Sequence, residues 1–198
     1  MRVILFIDQI STWTGKLFAW AILILTFVVS YEVFMRYVMG APTTWAYDTS
    51  YMLYGTLFMM SGAYALAHNA HVRADVVSRY FPTRVQAALE LALYLVFFYP
   101  GILALLFYGW DFFAISYRQN EHSSYTPGGP PIWPYKFVIP ACAALLAFQG
   151  LAEVSRCVLC LRHGTWPRRL SDVEEVAIPI NKEAEIKAAQ EQPKEPRQ

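Results

Sequence analysis

The chain has 198 residues, 56% of them hydrophobic and only 16% charged, whereas soluble domains carry about a quarter charged residues. The charges are uneven too: seven acids and four bases fall between Ser171 and Gln198, leaving twelve bases and eight acids before them, +4 against −3. Long uncharged runs dominate the rest, which excludes a soluble enzyme, a nucleic-acid binder and a disulfide-stapled secreted module. The sequence describes an all-α integral membrane protein.

A membrane-crossing helix needs about 20 mostly apolar residues, and four segments qualify. After a short N-terminal segment (residues 1–16), the first runs from Leu17 to Val38 and is uncharged until Glu32 and Arg36. This stretch exceeds the usual core of a cleaved signal peptide and is read as a retained anchor. The second, Thr49 to Ala67, has no charge. The third, Leu91 to Trp110, follows Glu90 and contains Pro100-Gly101, read as a packing kink. The fourth, Phe137 to Ala152, is extended toward the interface by Trp133 and Tyr135. The membrane domain is thus expected over 17–165, with a polar, disordered cytoplasmic tail over 166–198.

Orientation follows from lysine and arginine near the span ends. One side holds Arg2, Lys16, Arg73, Arg79, Arg84, Arg156, Arg162, Arg168 and Arg169; the other holds Arg36, Arg118 and Lys136. Both termini are therefore expected in the cytoplasm. Between spans two and three, Val72, Val76 and Tyr80 recur at helical spacing and Asp75 to Arg79 is a favourable i, i+4 pair. That pattern predicts a short cytoplasmic surface helix whose His71, Arg73, Asp75 and Arg79 meet lipid headgroups. Outside, Pro127-Gly128-Gly129-Pro130-Pro131 makes a turn-rich loop ringed by aromatic residues. Those aromatics suit either an interfacial belt or a docking surface for an external protein, with Tyr125 and Pro130 as candidate contacts.

Charges inside a span are costly and by default suggest function. Glu32 and Arg36 stand one helical turn apart near the outer end of their span, which favours an ion pair locking this helix to a partner over an ion pathway. Glu90 and Glu153 sit at the inner ends of spans three and four, where interfacial hydration covers their cost. His68, His71 and Asp75 have a spacing that could face a metal, but no second ligand cluster supports one. Cys157 and Cys160 lie on the reducing side, so reduced thiols or reversible palmitoylation are expected. A bundled haem carrier needs histidines within the spans, and all four histidines lie outside them. No nucleophile–base set or phosphate loop appears, so no catalysis and no cofactor are expected.

Specific runs carry a resemblance. Tyr31-Glu32-Val33-Phe34-Met35-Arg36-Tyr37 is followed by Gly40-Ala41-Pro42-Thr43-Thr44-Trp45, and Gly62-Ala63-Tyr64-Ala65-Leu66 by His71-Val72-Arg73-Ala74-Asp75. With Trp133-Pro134-Tyr135-Lys136 and Gln149-Gly150-Leu151-Ala152-Glu153, they resemble the small, DctQ-type permease subunit of tripartite ATP-independent periplasmic (TRAP) transporters over roughly residues 10 to 162. The resemblance implies a four-helix, cytoplasmic-in subunit of the bacterial inner membrane. It implies as partners a large permease that carries the sodium and substrate sites and a periplasmic binding protein that delivers an organic acid anion. The small subunit would enlarge the static scaffold and offer part of the docking surface. Tyr47 and Asp48 depart from the acidic pair that often follows the tryptophan, and Ala74 replaces a larger aliphatic residue. Glu32, Arg36, Trp45, Asp48, Gly62, Trp133 and Lys136 are the candidate contacts to the large subunit. The rival expectations are a self-contained small transporter or channel coupled through Glu32, and a membrane redox carrier.

Overall fold

The computed structural model describes residues 2–68, 81–126 and 128–167, and among them the only regular elements are helical. In chain order these are α1 (Arg2–Ala19), α2 (Ala21–Tyr37), α3 (Ala46–Ala67), α4 (Thr83–Leu93), a π-helical turn (Tyr94–Phe98), α5 (Tyr99–Arg118) and α6 (Trp133–His163). α1 and α2 form one rod interrupted only at Trp20, where the Trp20 N–H reaches back three residues to Leu17 O (3.3 Å). α4, the π turn and α5 likewise run on without a loop.

Local chemistry sets the boundaries. Gly40 takes the left-handed conformation (φ 65°) just past α2, and Pro42 follows it. Pro82 opens α4, and Trp133-Pro134 opens α6, where a missing N–H costs nothing. Gly164 ends α6 at φ 77°, its N–H donating to Cys160 O at 2.7 Å, the usual glycine stop. The π turn has a local cause as well. Pro100 has no N–H to offer the carbonyl four residues before it, and the backbone widens there so that Tyr99 N–H reaches Tyr94 O, five residues back. The kink expected at Pro100-Gly101 thus takes the form of a π bulge.

α6 is the central helix, packed against α5 most extensively and also against α3, α4 and α1. α3 lies between α6 and the α1–α2 rod. Neighbouring contacts fix the directions. Tyr31 stacks on Trp45 and Gly15 meets Tyr64, so the rod and α3 are antiparallel. Tyr117 meets Trp133 and Phe113 meets Phe137 at ring separations of 5.2 and 5.1 Å, while Tyr99 Oη donates to Ala147 O, so α5 and α6 are antiparallel. Cys142 Sγ lies 2.9 Å from Met59 O, and Gly62 faces Leu146, so α3 and α6 run parallel. Close approach depends on missing side chains at several crossings, among them those of Gly15 and Gly150. A Cβ on Gly15 would stand 2.5 Å from Tyr64 Cβ, and one on Gly150 would stand 2.6 Å from Phe98 Cε1.

By length and apolarity three helical stretches can cross a membrane: Val3–Tyr37 (35 residues, mean hydropathy 2.1), Thr83–Arg118 (36 residues, 2.1) and Trp133–His163 (31 residues, 1.8). The expected count of four is corrected to three on this measure. α3, at 22 residues, is long enough, but Thr49, Ser50, Tyr51, Tyr54, Thr56, Ser61 and Tyr64 bring hydroxyl groups into it and lower its hydropathy. The other expected spans were placed correctly but drawn short. The helices continue past Glu90, Glu153 and Lys16, because a charge ends an apolar run without ending a helix.

Candidate functional site

Polar side chains gather at the two ends of the bundle. At the end where α2 meets α3, Glu32 is an acceptor for four donors. Its Oε1 takes Arg36 Nε (2.9 Å) and Nη2 (2.5 Å), and its Oε2 takes the Thr43 N–H (3.0 Å) and the Thr43 hydroxyl. The carboxylate therefore pins the turn leaving α2 back onto the helix. The Arg36 side chain remains 52% exposed, and Trp45, stacked on Tyr31 at 6.1 Å, is exposed as well.

Asp48, in the first turn of α3, is fully buried. It accepts from the Ser123 hydroxyl (2.6 Å) and the Thr126 hydroxyl, which ties the loop between α5 and α6 to the start of α3. A negative charge there also meets the positive end of the helix dipole. The loop is closed on itself. Ser123 N–H donates to Pro130 O (3.0 Å), Ile132 N–H to Glu121 O (2.9 Å), and the His122 ring nitrogen Nδ1 lies 2.8 Å from Gly129 O. Glu121 receives Lys136 Nζ, which also stands 4.0 Å above the Phe112 ring. The hydrogen bond from Lys136 holds the Glu121 carboxyl below its ordinary value, against a smaller opposing effect of burial. Tyr125 projects from the loop, 70% exposed, with its ring edge-on to Tyr47 (5.8 Å) and Tyr51 (5.7 Å). Pro130 is half-buried and Trp133 packs edge-on against Tyr117.

Of the seven residues expected at a subunit contact, Glu32, Asp48 and Lys136 bond within the chain, and Gly62 faces Leu146 of α6 at ordinary van der Waals distance. Arg36 and Trp45 keep exposed surface, and Trp133 is half-buried. His71, Arg73, Asp75 and Arg79, with the predicted surface helix, lie outside the described residues, as does most of the tail. Cys157 and Cys160 are thiols rather than disulfide halves, and both are fully buried. Palmitoylation, which needs a thiol open to the acyl donor, is therefore disfavoured at both.

The opposite end holds a cluster that the sequence did not reveal. Arg156 of α6 donates through Nη2 to Asp8 of α1 and through Nη1 to Glu153 at 2.5 Å. Gln149 donates its Nε2 to Asp8 Oδ1 (2.8 Å), and its Oε1 accepts from the Ser11 hydroxyl (2.7 Å). These side chains are all at or below 2% exposure. Glu153 is thus buried and ion-paired rather than covered by interfacial water. Gln149, Glu153 and Arg156 fall at i, i+4, i+7, a single helical face, and that spacing was the available signal. Asp8, within the apolar run Val3 to Ile10, was the other half of it.

Comparison with known proteins bears on the whole chain. No curated protein matches it. The family model described as "Tripartite ATP-independent periplasmic transporters, DctQ component" matches residues 25–160, well over half of the chain, and includes the Glu32 turn, the Asp48-tethered loop and Arg156. The chain accordingly belongs to the DctQ component family, the small membrane subunits of tripartite ATP-independent periplasmic transporters.

Proposed function

We propose that this chain is a non-catalytic scaffold subunit of a sodium-coupled transporter for organic acid anions, holding the large permease and helping to seat the periplasmic binding protein. The observation that carries this reading is the commitment of four of its acids. Asp8, Glu32, Asp48 and Glu153 each bond a partner within the chain. A coupling acid must exchange its ligand during the cycle, whereas these four fasten helix to helix or helix to loop. Arg36, Trp45 and Trp133 remain as contacts for the large permease, with Glu32, Asp48, Gly62 and Lys136 shaping the surface beneath them. Tyr125 and Pro130 offer a preformed external loop for the binding protein. An exposed tyrosine on a tethered loop brings a large contact area at a small entropic cost.

In this reading α3 is a fourth crossing and both termini face the cytoplasm of a bacterial inner membrane. Support comes from α3 running parallel to α6, with Met59 beside Cys142 and Gly62 beside Leu146. A helix in register with a spanning helix lies at the same depth. At ~1.5 Å per residue its 22 residues extend about 33 Å, the thickness of the hydrocarbon core. The basic residues at the Arg84, Arg156 and Arg162 end favour that end as cytoplasmic.

Reconstitution tests the proposal. Proteoliposomes with the large permease and binding protein should take up substrate only when this chain is present; full uptake without it refutes the scaffold role. The chain alone should carry no substrate. Transport by it alone that disappears in Glu32→Gln would favour a self-contained carrier instead.

A further inference from the structure

α1 is amphipathic in the inverted sense. Its packed side carries Asp8, Ser11 and Thr12, all buried. Its outward side carries Val3, Phe6, Ile10, Trp13, Leu17 and Trp20, spaced alternately three and four residues apart on one stripe. Phe6, Trp13 and Trp20 are 61%, 66% and 67% exposed. A helix lying in water presents the opposite pattern, with its polar side outward. The stripe continues along α2 through Ile24, Phe27, Tyr31 and Phe34, all exposed, so the outer surface of α1 extends the apolar surface of the membrane-crossing helix without a break.

The dimensions matter here. At ~1.5 Å per residue the 35-residue rod Val3–Tyr37 is about 52 Å long, far longer than a ~30 Å hydrocarbon core. The interfacial layers bring the bilayer to about 40–45 Å, and a rod of that length fits within it at a tilt of roughly 30–40°, the upper part of the range for spanning helices. At that tilt each residue advances only about 1.2 Å across the bilayer, so residues 3–16 cover about 16 Å of depth and lie in the inner leaflet, Val3 near the headgroups and Trp13 deeper. Lys16, exposed between Trp13 and Trp20, reaches its ammonium back toward the headgroups. A second helix is a poorer occupant of the stripe. Helix pairs in membranes approach through small residues, and the stripe has none at any of its positions, whereas acyl chains conform to bulky side chains.

We infer that the outward face of α1 is a lipid-binding surface embedded in the inner leaflet of the bilayer, rather than part of a cytoplasmic segment. Its occupants are acyl chains along Phe6 and Trp13, with Lys16 directed toward the lipid headgroups. The inference rests on the membrane-subunit reading above and adds that residues 2–16 do not stand in water. The polar side of α1 is then directed at Arg156 because the protein interior offers its only polar partners.

Nitroxide labels at Phe6→Cys, Trp13→Cys and Phe27→Cys in the full chain test this in nanodiscs of phosphatidylethanolamine and phosphatidylglycerol, with and without the large permease. Collisions with oxygen should exceed collisions with a water-soluble nickel chelate at positions 6 and 13, as at 27, and should persist when the permease is present. Nickel access at 6 and 13 with lipid-like behaviour at 27 would place α1 in water and overturn this inference alone. Loss of both collisions at 6 and 13 on adding the permease would make the stripe a protein contact and overturn it too. Water-like behaviour at 27 as well would overturn the membrane reading itself. A milder variant guards against misfolded labelled protein. Lipids brominated near the headgroup should quench wild-type tryptophan emission more than that of Trp13→Phe, and equal quenching counts against the inference.

Discussion

Replacing Arg156 with methionine should be the most damaging single change to the fold. The guanidinium is fully buried between Asp8 and Glu153, whose side chains are each 1% exposed. Arg156→Met keeps the length and the apolar stem but leaves two like charges buried without their counter-ion. Breaking a buried ion pair in this way costs about 3–5 kcal/mol, or roughly a 100- to 4,000-fold shift in the unfolding equilibrium at 1.4 kcal/mol per tenfold. The triple replacement Asp8→Leu, Glu153→Leu, Arg156→Met removes both charges along with the arginine. Because apolar substitutes for buried ionic networks are often neutral or better, it should recover part of the loss, short of all of it because Gln149 Nε2 loses its Asp8 acceptor. Reversible unfolding in mixed micelles by dodecyl sulfate, followed by circular dichroism, reads both effects. An Arg156→Met penalty below about 1 kcal/mol, the range of exposed pairs, would mean that the cluster is hydrated. A triple variant as unstable as the single one would equally refute the electrostatic account.

Gly15→Leu should destabilise the chain by about 1–3 kcal/mol, since a Cβ there meets Tyr64 at 2.5 Å; Gly101→Leu, with nothing within 4 Å, should not, and equal unfolding midpoints for the two would contradict the close α1–α3 crossing. The Glu121 carboxyl, held down by Lys136, should titrate by carbon-13 NMR below the usual ~4.3. Its depressed folded-state value means that the loop's stabilisation is complete above the unfolded-state value and is lost as pH falls through the folded one. Lys136→Met should return the midpoint upward, and an unmoved midpoint would dissociate Glu121 from that lysine. Cys142, Cys157 and Cys160, all buried, should resist maleimide in the native chain and react after denaturation; fast native labelling at Cys157 or Cys160 would show that the α4–α6 contact opens.

The helices and the family were legible in the sequence because both rest on local signals. Apolar runs give spans, and the Glu32–Arg36 to Trp45 run and the Trp133 to Lys136 run are contiguous. What the sequence concealed depended on distant partners. Glu32 and Arg36 were visible as a pair, but nothing local said that Thr43 would close on the same carboxylate and turn it into a clasp for the chain reversal. Asp48 was legible as a helix-start acid, while its hydroxyl donors stand 75 and 78 residues away at Ser123 and Thr126. Nothing local to Glu153 identifies Arg156 as its buried counter-ion rather than a cytoplasmic-side charge, because the third partner, Asp8, is 148 residues from Arg156. Helix ends were drawn short for a related reason: hydropathy measures what a residue prefers to touch, and Lys16 or Glu90 can stay helical while leaving an apolar run.

The two polar clusters fix opposite ends of one bundle by the same means. At one end Glu32 and Asp48 gather hydroxyl and amide donors from the two connecting loops; at the other Arg156 draws α1 onto α6. Between them α3 and α6 are joined chiefly by apolar contact, and large aromatic residues face outward along α2 and α5. An element that moves through a bilayer during transport needs polar contacts that can be exchanged cheaply. At the Arg156 end these contacts are buried, so sliding α1 past α6 would separate Asp8 from Arg156 and cost several kcal/mol. A body restrained at both ends and apolar around its girth can carry load for a moving partner without changing shape. Under the scaffold role proposed above, the working motion would belong to the large permease and this chain would contribute by resisting it.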